Sequence, residues 1–137
     1  MAVNPYQQYK EQSLNTLAPG ELLVKLFDEL IKQMRLSVIA IGKKDFGMAN
    51  DALSKAQTIV STLAGALDMR YPIAKELREM YIFFAKQLHE ANLKKDSPTV
   101  EAIIPLVKDL RDSFEQAEKI SRKSQAVNAQ SIRERAV

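Results

Sequence analysis

PIAKELREMYIFFAKQLHEANLKKDSP, residues 72 to 98, decides the fold. Ile73, Leu77, Met80, Tyr81, Phe84, Leu88 and Ala91 recur at three- and four-residue intervals, the period of a helix with one buried face. Pro72 forces a break before the segment, because the residue ahead of a proline is pushed out of the helical region. At the other end Ser97-Pro98 reads as an N-cap followed by a proline at the first helical position, so a new helix begins at once. The stretch is therefore one complete helix, about 73–95, with a very short link to the next.

The same pattern repeats outward. Upstream, Ala49, Ala52, Leu53, Ala56, Ile59, Val60, Leu63 and Leu67 form a stripe over about 46–69, with Asp45 as a natural N-cap. Its alanines allow a neighbouring helix to approach closely. Further upstream, Leu23, Leu26, Phe27, Leu30, Met34 and Ile41 share one face over about 19–42. Pro19 suits the first helical position, and Gly42 is a plausible stop. Glu21 supplies half of a capping box, but Ala18 has no hydroxyl to complete it. Downstream, Val100, Ile103, Val107, Leu110, Phe114 and Ala117 mark a helix over about 98–120, with a kink expected at Pro105. Four helices of about twenty residues with short links predict an all-α fold, an antiparallel up-down-up-down four-helix bundle. Residues 1–18 precede it as an aromatic-bearing arm. Residues 119–137 follow it as a basic tail, read as a frayed helix end or a disordered segment. Lys43-Lys44-Asp45 and Lys94-Lys95-Asp96 precede the second and fourth helices, a weak internal echo consistent with two similar hairpins.

Composition narrows the function. The chain has 137 residues, the size of one domain with a self-sufficient core. Hydrophobic residues make up 46% and charged residues 27%, an ordinary soluble balance. There is no cysteine, hence no disulfide, no thiolate zinc site and no thiol nucleophile; a reducing cytoplasm fits. No apolar run is long enough to span a membrane, and Met1-Ala-Val-Asn does not open a signal peptide. The net charge is +3. Residues 119–137 hold Lys119, Arg122, Lys123, Arg133 and Arg135 against Glu134 alone, a surplus of +4, so the rest nets to −1. The basic character belongs to the tail and not to a face of the bundle, which argues against a nucleic-acid-binding domain.

Catalysis finds no support. A di-iron bundle needs two Glu-x-x-His pairs, but the single histidine, His89, has Lys86 three residues before it. His89 also lies off the core stripe, as expected of a surface residue. Glu76 with Glu79, and Asp109 with Asp112, read as solvated faces. No Gly-rich phosphate loop and no Ser-His-Asp set occurs. The chain is read as a non-enzyme without cofactor or metal.

More informative is apolar surface beyond what a core requires. On the first helix Leu22, Leu36 and Ile39 point off the main stripe, and Val24 and Ile31 widen its edge. On the third, Ile82 and Phe83 flank the stripe. Outer faces of bundle helices are normally polar, so these seven are candidates for a groove that binds a helical or extended partner. In the arm, Tyr6, Tyr9, Leu14 and Leu17 are spaced to cover such a groove as a removable lid.

Taken together, Asn4-Pro5-Tyr6, Tyr9-Lys10, Pro19-Gly20-Glu21-Leu22, Leu26-Phe27-Asp28, Leu67-Asp68, Glu90-Ala91-Asn92-Leu93-Lys94-Lys95-Asp96 and Leu110-Arg111-Asp112 resemble, in order and spacing, the flagellar secretion chaperones of the FliS family. The resemblance covers about residues 3 to 118. It departs from many relatives at Ala18, where they carry serine or threonine, at Phe27, where they carry tyrosine, and at Ser113-Phe114, where they carry tryptophan. It implies an antiparallel four-helix bundle capped by its N-terminal segment, cytoplasmic and without catalysis. It implies a client, the disordered C-terminal segment of flagellin, kept unpolymerised until the flagellar type III apparatus exports it. It further implies that the cap moves to admit flagellin, that Tyr6 and Tyr9 contact the export-gate protein FlhA, and that the anti-sigma factor FlgM is a possible second partner. A disordered client pays ordering entropy on binding and so needs a long apolar track. Two other readings are a bundle that self-associates through the same apolar flanks, and a nucleic-acid-associated bundle acting through the basic tail. The expected state is a monomer or weak homodimer, with no nucleic acid and no membrane insertion.

Overall fold

The computed structural model describes residues 19–135. It has four helices, α1 (Pro19–Gly42), α2 (Phe46–Gly65), α3 (Pro72–Lys94) and α4 (Ser97–Arg135), and no strand among the described residues. The expected all-α class holds. The arm, residues 1–18, lies outside the described residues.

Contacts divide the chain into two compact units. One is Lys25–Asp109; the other joins residues 19–24 with residues 110–135. Within Lys25–Asp109 the packing is that of a helical bundle. Ala49, Leu53, Ala56, Val60 and Leu63 of α2 are buried, as are Ala74, Leu77, Tyr81, Phe84, Leu88 and Ala91 of α3. Both sets alternate steps of three and four residues, the spacing that keeps one seam facing a partner. The two helices pack on each other. Residues 66–71 connect them at one end, and at the other the Asn92 amide donates to Asn50 Oδ1 over 3.0 Å. Phe27, Leu30 and Met34 of α1 and Val100, Ile103 and Val107 of α4 complete this core. The Phe27 and Tyr81 ring centroids are 6.4 Å apart, tilted by 45°.

Several expectations need correcting. Ile73, assigned to the core, is 61% exposed, and Ala74 is buried in its place. The seam that passes through Leu77, Tyr81 and Phe84 extrapolates back to position 74, so residue 73 falls outside it. Met80 is 36% exposed for the same reason. Helix α2 stops at Gly65 and not near 69; Ala66 caps it, its N–H reaching back to the Thr62 and Leu63 carbonyls. Beyond it, Asp68 accepts from the Arg70 backbone and guanidinium in a local turn. Those bonds hold the Asp68 carboxyl below its ordinary pKa.

The boundaries on either side of α2 follow their predicted chemistry. Asp45 is the N-cap, with Oδ1 accepting from the Met48 N–H over 3.1 Å. Helix α1 ends through a left-handed Lys44, φ 59°, and α3 through a left-handed Lys95, φ 52°. Helix α4 continues through Pro105 and past position 120 to Arg135, so the basic tail is helical as far as Arg135.

Candidate functional site

Four of the seven groove candidates are exposed: Leu36 at 38%, Ile39 at 53%, Ile82 at 57% and Phe83 at 45%. All four belong to the Lys25–Asp109 unit. Leu36 and Ile39 stand on α1 among exposed Lys32 and Arg35, on the side opposite Phe27, Leu30 and Met34. The Phe83 ring centroid lies 6.1 Å from that of buried Phe84, tilted by 57°. Val24 is half-buried. Leu22 and Ile31 depart from expectation, because both are buried. The covered arc of α1 also takes in Gln33, Ser37 and Ala40, about half of the helix circumference, wider than an apolar stripe alone would mark. Ser37 is accommodated there by donating to the Met34 carbonyl over 2.6 Å. Tyr6, Tyr9, Leu14 and Leu17 lie outside the described residues.

The unit formed by the start of α1 and the far part of α4 explains Pro19-Gly20-Glu21. A Cβ at position 20 would lie 2.7 Å from Glu118 Cγ and 3.0 Å from its Cβ, so only glycine leaves room for the Glu118 stem. Glu21 pairs with Arg122 at 3.2 Å, and Arg122 Nε lies 2.6 Å from Glu118 Oε1. That second contact is Coulombic in geometry, and Oε1 has no hydrogen-bond partner among the described residues. Glu118 is only 6% exposed, whereas Ala117, expected in the core, is exposed. The contact face of α4 is therefore shifted by one residue here, where it meets the first turn of α1. One turn earlier, Glu115 pairs with Arg111 and with Lys119, the latter at 3.0 Å. The Lys119 hydrogen bond, followed by the Arg111 charge, lowers the Glu115 pKa against its desolvation.

Residues absent from the predicted set are also exposed. Phe46, Met48 and Leu93 lie at one end of the α2–α3 pair, and Met69, Tyr71 and Ile73 around the 66–71 connection at the other. Their helix-end positions were readable; their exposure was not, because periodicity describes faces and not ends. Among the described residues no three His, Cys, Asp or Glu side chains gather as a metal site, and no helix is long and apolar enough to cross a membrane. His89 is exposed, as its place beside the stripe predicted.

What the candidate site shows is exposed apolar surface, and comparison with known proteins gives it a context. The family described as "Flagellar protein FliS" matches residues 2–121. The chain belongs to the FliS family. It is 34% identical over 120 residues to the flagellar secretion chaperone FliS of Bacillus subtilis (strain 168), covering 88% of this chain and 90% of that one. Proteins of the same name in Vibrio cholerae and Salmonella typhimurium are 25% and 27% identical, covering 80% and 77% of this chain and 85% and 81% of theirs. The FliS match takes in the Pro19-Gly20-Glu21 turn and its Glu118 contact but ends before Arg122, so the last part of α4 lies beyond it.

Proposed function

We propose that the chain is a cytoplasmic export chaperone that binds the disordered C-terminal segment of flagellin, keeps it from polymerising early and delivers it to the flagellar type III export apparatus. Family membership supplies the class of function. The observation that carries the binding role is the exposure of Leu36, Ile39, Ile82 and Phe83 on otherwise charged helix faces. Amphipathic segments laid on such apolar tracks are a common mode of peptide recognition. Val24 extends the candidate surface; Leu22 and Ile31 serve the fold. The reading requires no catalytic group. The up-down-up-down order of the helices belongs to it, supported by the short links at 43–45 and 95–96.

In the same proposal the arm is a lid. Tyr6, Tyr9, Leu14 and Leu17 cover apolar surface when no client is present, which lowers apparent affinity by the cost of displacement. Once displaced, Tyr6 and Tyr9 are free to meet the export-gate protein FlhA. FlgM is a second candidate partner, and the resting state is a monomer or weak homodimer.

Titration calorimetry with a peptide of the flagellin C-terminal segment from the same organism tests this. One-to-one saturable binding with a negative heat-capacity change is expected, and removal of residues 1–17 alters the affinity. A folded chain that shows no heat at high micromolar peptide, roughly the weak limit of specific recognition, excludes flagellin as the client.

A further inference from the structure

The two Lys-Lys-Asp turns have no part in the reading above, yet they share one conformation. Lys44 and Lys95 are the non-glycine residues of positive φ among those described, at 59° and 52°. The Asp45 N–H donates to the Ala40 carbonyl over 2.8 Å, and the Asp96 N–H to the Ala91 carbonyl over 3.0 Å. Each turn thus closes its preceding helix with the long-range bond of a Schellman motif. Each aspartate also faces the following helix: Asp45 Oδ1 accepts from the Met48 N–H, and Asp96 Oδ2 from the Thr99 hydroxyl over 2.8 Å. The carboxylates are occupied locally, and the lysines are not neutralised by them.

The Asn92–Asn50 hydrogen bond brings both turns to the same end of the α2–α3 pair. Lys43, Lys44 and Lys94 are exposed there and form no ion pair among the described residues. Lys95 is half-buried and donates to the Asn92 carbonyl and Oδ1, both at 2.6 Å, which fixes the turn. Phe46 and Met48 follow Lys44 within four residues of the chain and Leu93 precedes Lys94 directly; all three are exposed, Leu93 at 73%. Glycine fits a left-handed cap with less strain than lysine, and at position 95 the Lys95 bonds to Asn92 offset that strain, whereas the exposed Lys44 side chain makes no such bond among the described residues.

We propose that this end of the α2–α3 pair is a docking surface for an acidic amphipathic polypeptide segment, with carboxylates meeting Lys43, Lys44 and Lys94 and apolar side chains meeting Phe46, Met48 and Leu93. Complementary charge supplies orientation, and the apolar trio supplies desolvated contact. A polypeptide fits better than a phosphate polymer or lipid surface. Single-stranded nucleic acid calls for a longer basic track with several stacking aromatics, and Phe46 stands alone. A lipid surface calls for one continuous apolar face, and here Asp45 and Asp96 interrupt it. At Lys43 the surface adjoins the candidate client groove, because the Lys43 N–H donates to the Ile39 carbonyl over 3.1 Å; Lys94 and Leu93, on α3, are outside the groove candidates and distinguish the two in a test without a flagellin peptide.

The test is fluorescence anisotropy of a labelled synthetic peptide of glutamate and leucine in amphipathic helical spacing, titrated with the full chain. Its glutamine counterpart, phosphatidylglycerol vesicles and a single-stranded oligonucleotide serve as comparison probes. The glutamate peptide is expected to bind, and the Lys43→Gln/Lys94→Gln variant to bind about tenfold more weakly, as does Leu93→Ser. Lys123→Gln/Arg133→Gln is expected to bind like the parent. Circular dichroism melts establish that each variant folds, and the single Lys43→Gln and Lys94→Gln variants provide the same reading should the double variant fail to fold. The proposal is overturned if the parent does not bind the glutamate peptide, or binds the glutamine peptide as tightly. It is likewise overturned if the loss follows Lys123 and Arg133, or if vesicles or the oligonucleotide bind in preference to the peptide.

Discussion

At the scale of the residue, Tyr81 shows what enclosure does to a titrating group. It is among the largest fully enclosed side chains of Lys25–Asp109, and burial raises its phenol from 10.0 to about 12. Below pH 10 the folded and unfolded states both hold the proton, and the contribution to stability is complete. Between pH 10 and about 12 the unfolded chain releases it and the folded chain does not, so stability falls as pH rises. A shift of this size corresponds to roughly 2–3 kcal/mol by the upper end of the window. In urea titrations across that range the parent should therefore lose stability relative to Tyr81→Phe as pH rises, the variant lacking this component of the slope. Parallel profiles would mean that the phenol is solvated in the folded state. The enclosure itself was legible, since position 81 lies in the stripe. Whether a neighbouring residue at a stripe edge is covered was not: Ile73 was placed inside and is exposed, whereas Leu22, placed off the stripe, and Ile31, placed at its edge, are covered. Sequence period gives the direction of a face, while its width depends on what the neighbouring chain brings to it.

Helix ends belong to the next scale. The links at 43–45 and 95–96 could be read from Gly42, Asp45, Ser97 and Pro98, but the left-handed lysines could not. A lysine side chain carries no signal for that conformation; the Schellman bonds to Ala40 and Ala91 impose it. Left-handed backbone costs a side-chain-bearing residue roughly 1–2 kcal/mol relative to glycine, partly offset by the entropy glycine adds to the unfolded chain. Lys44→Gly should therefore raise the urea midpoint by the equivalent of about 0.5–1 kcal/mol. Lys95→Gly should gain less, because it forfeits two hydrogen bonds to Asn92. A lower midpoint for Lys44→Gly would show that the lysine side chain stabilises the turn by more than the backbone strain costs. The extension of α4 to Arg135 was the less legible feature at this scale, where the sequence left a frayed helix end and a disordered segment both open. Its residues past 120 are almost all exposed, so no apolar stripe announced a helix there.

For the whole molecule, fold class was the most legible property, because it rests on four concordant stripes and the punctuation between them. The proposed client surface was legible only as a surplus of apolar residues. Of that surplus, Leu36, Ile39, Ile82 and Phe83 remain available to a partner. Ile39→Glu and Phe83→Glu are each expected to weaken binding of the flagellin peptide about tenfold or more, by placing a charge against desolvated surface, with the thermal midpoint within a few degrees of the parent. A collapsed midpoint would place the residue in the folding core. Unchanged affinity in both variants would move the client elsewhere. The contact between Gly20 and Glu118 has a different consequence, one for how such chains diverge. Two positions almost a hundred residues apart share one small volume. Variation at either is conditioned by the other, so a lineage that lengthens the side chain at position 20 must first shorten or swing aside the one at 118. The order in which the two changes can be accepted is set by steric room and not by distance along the chain.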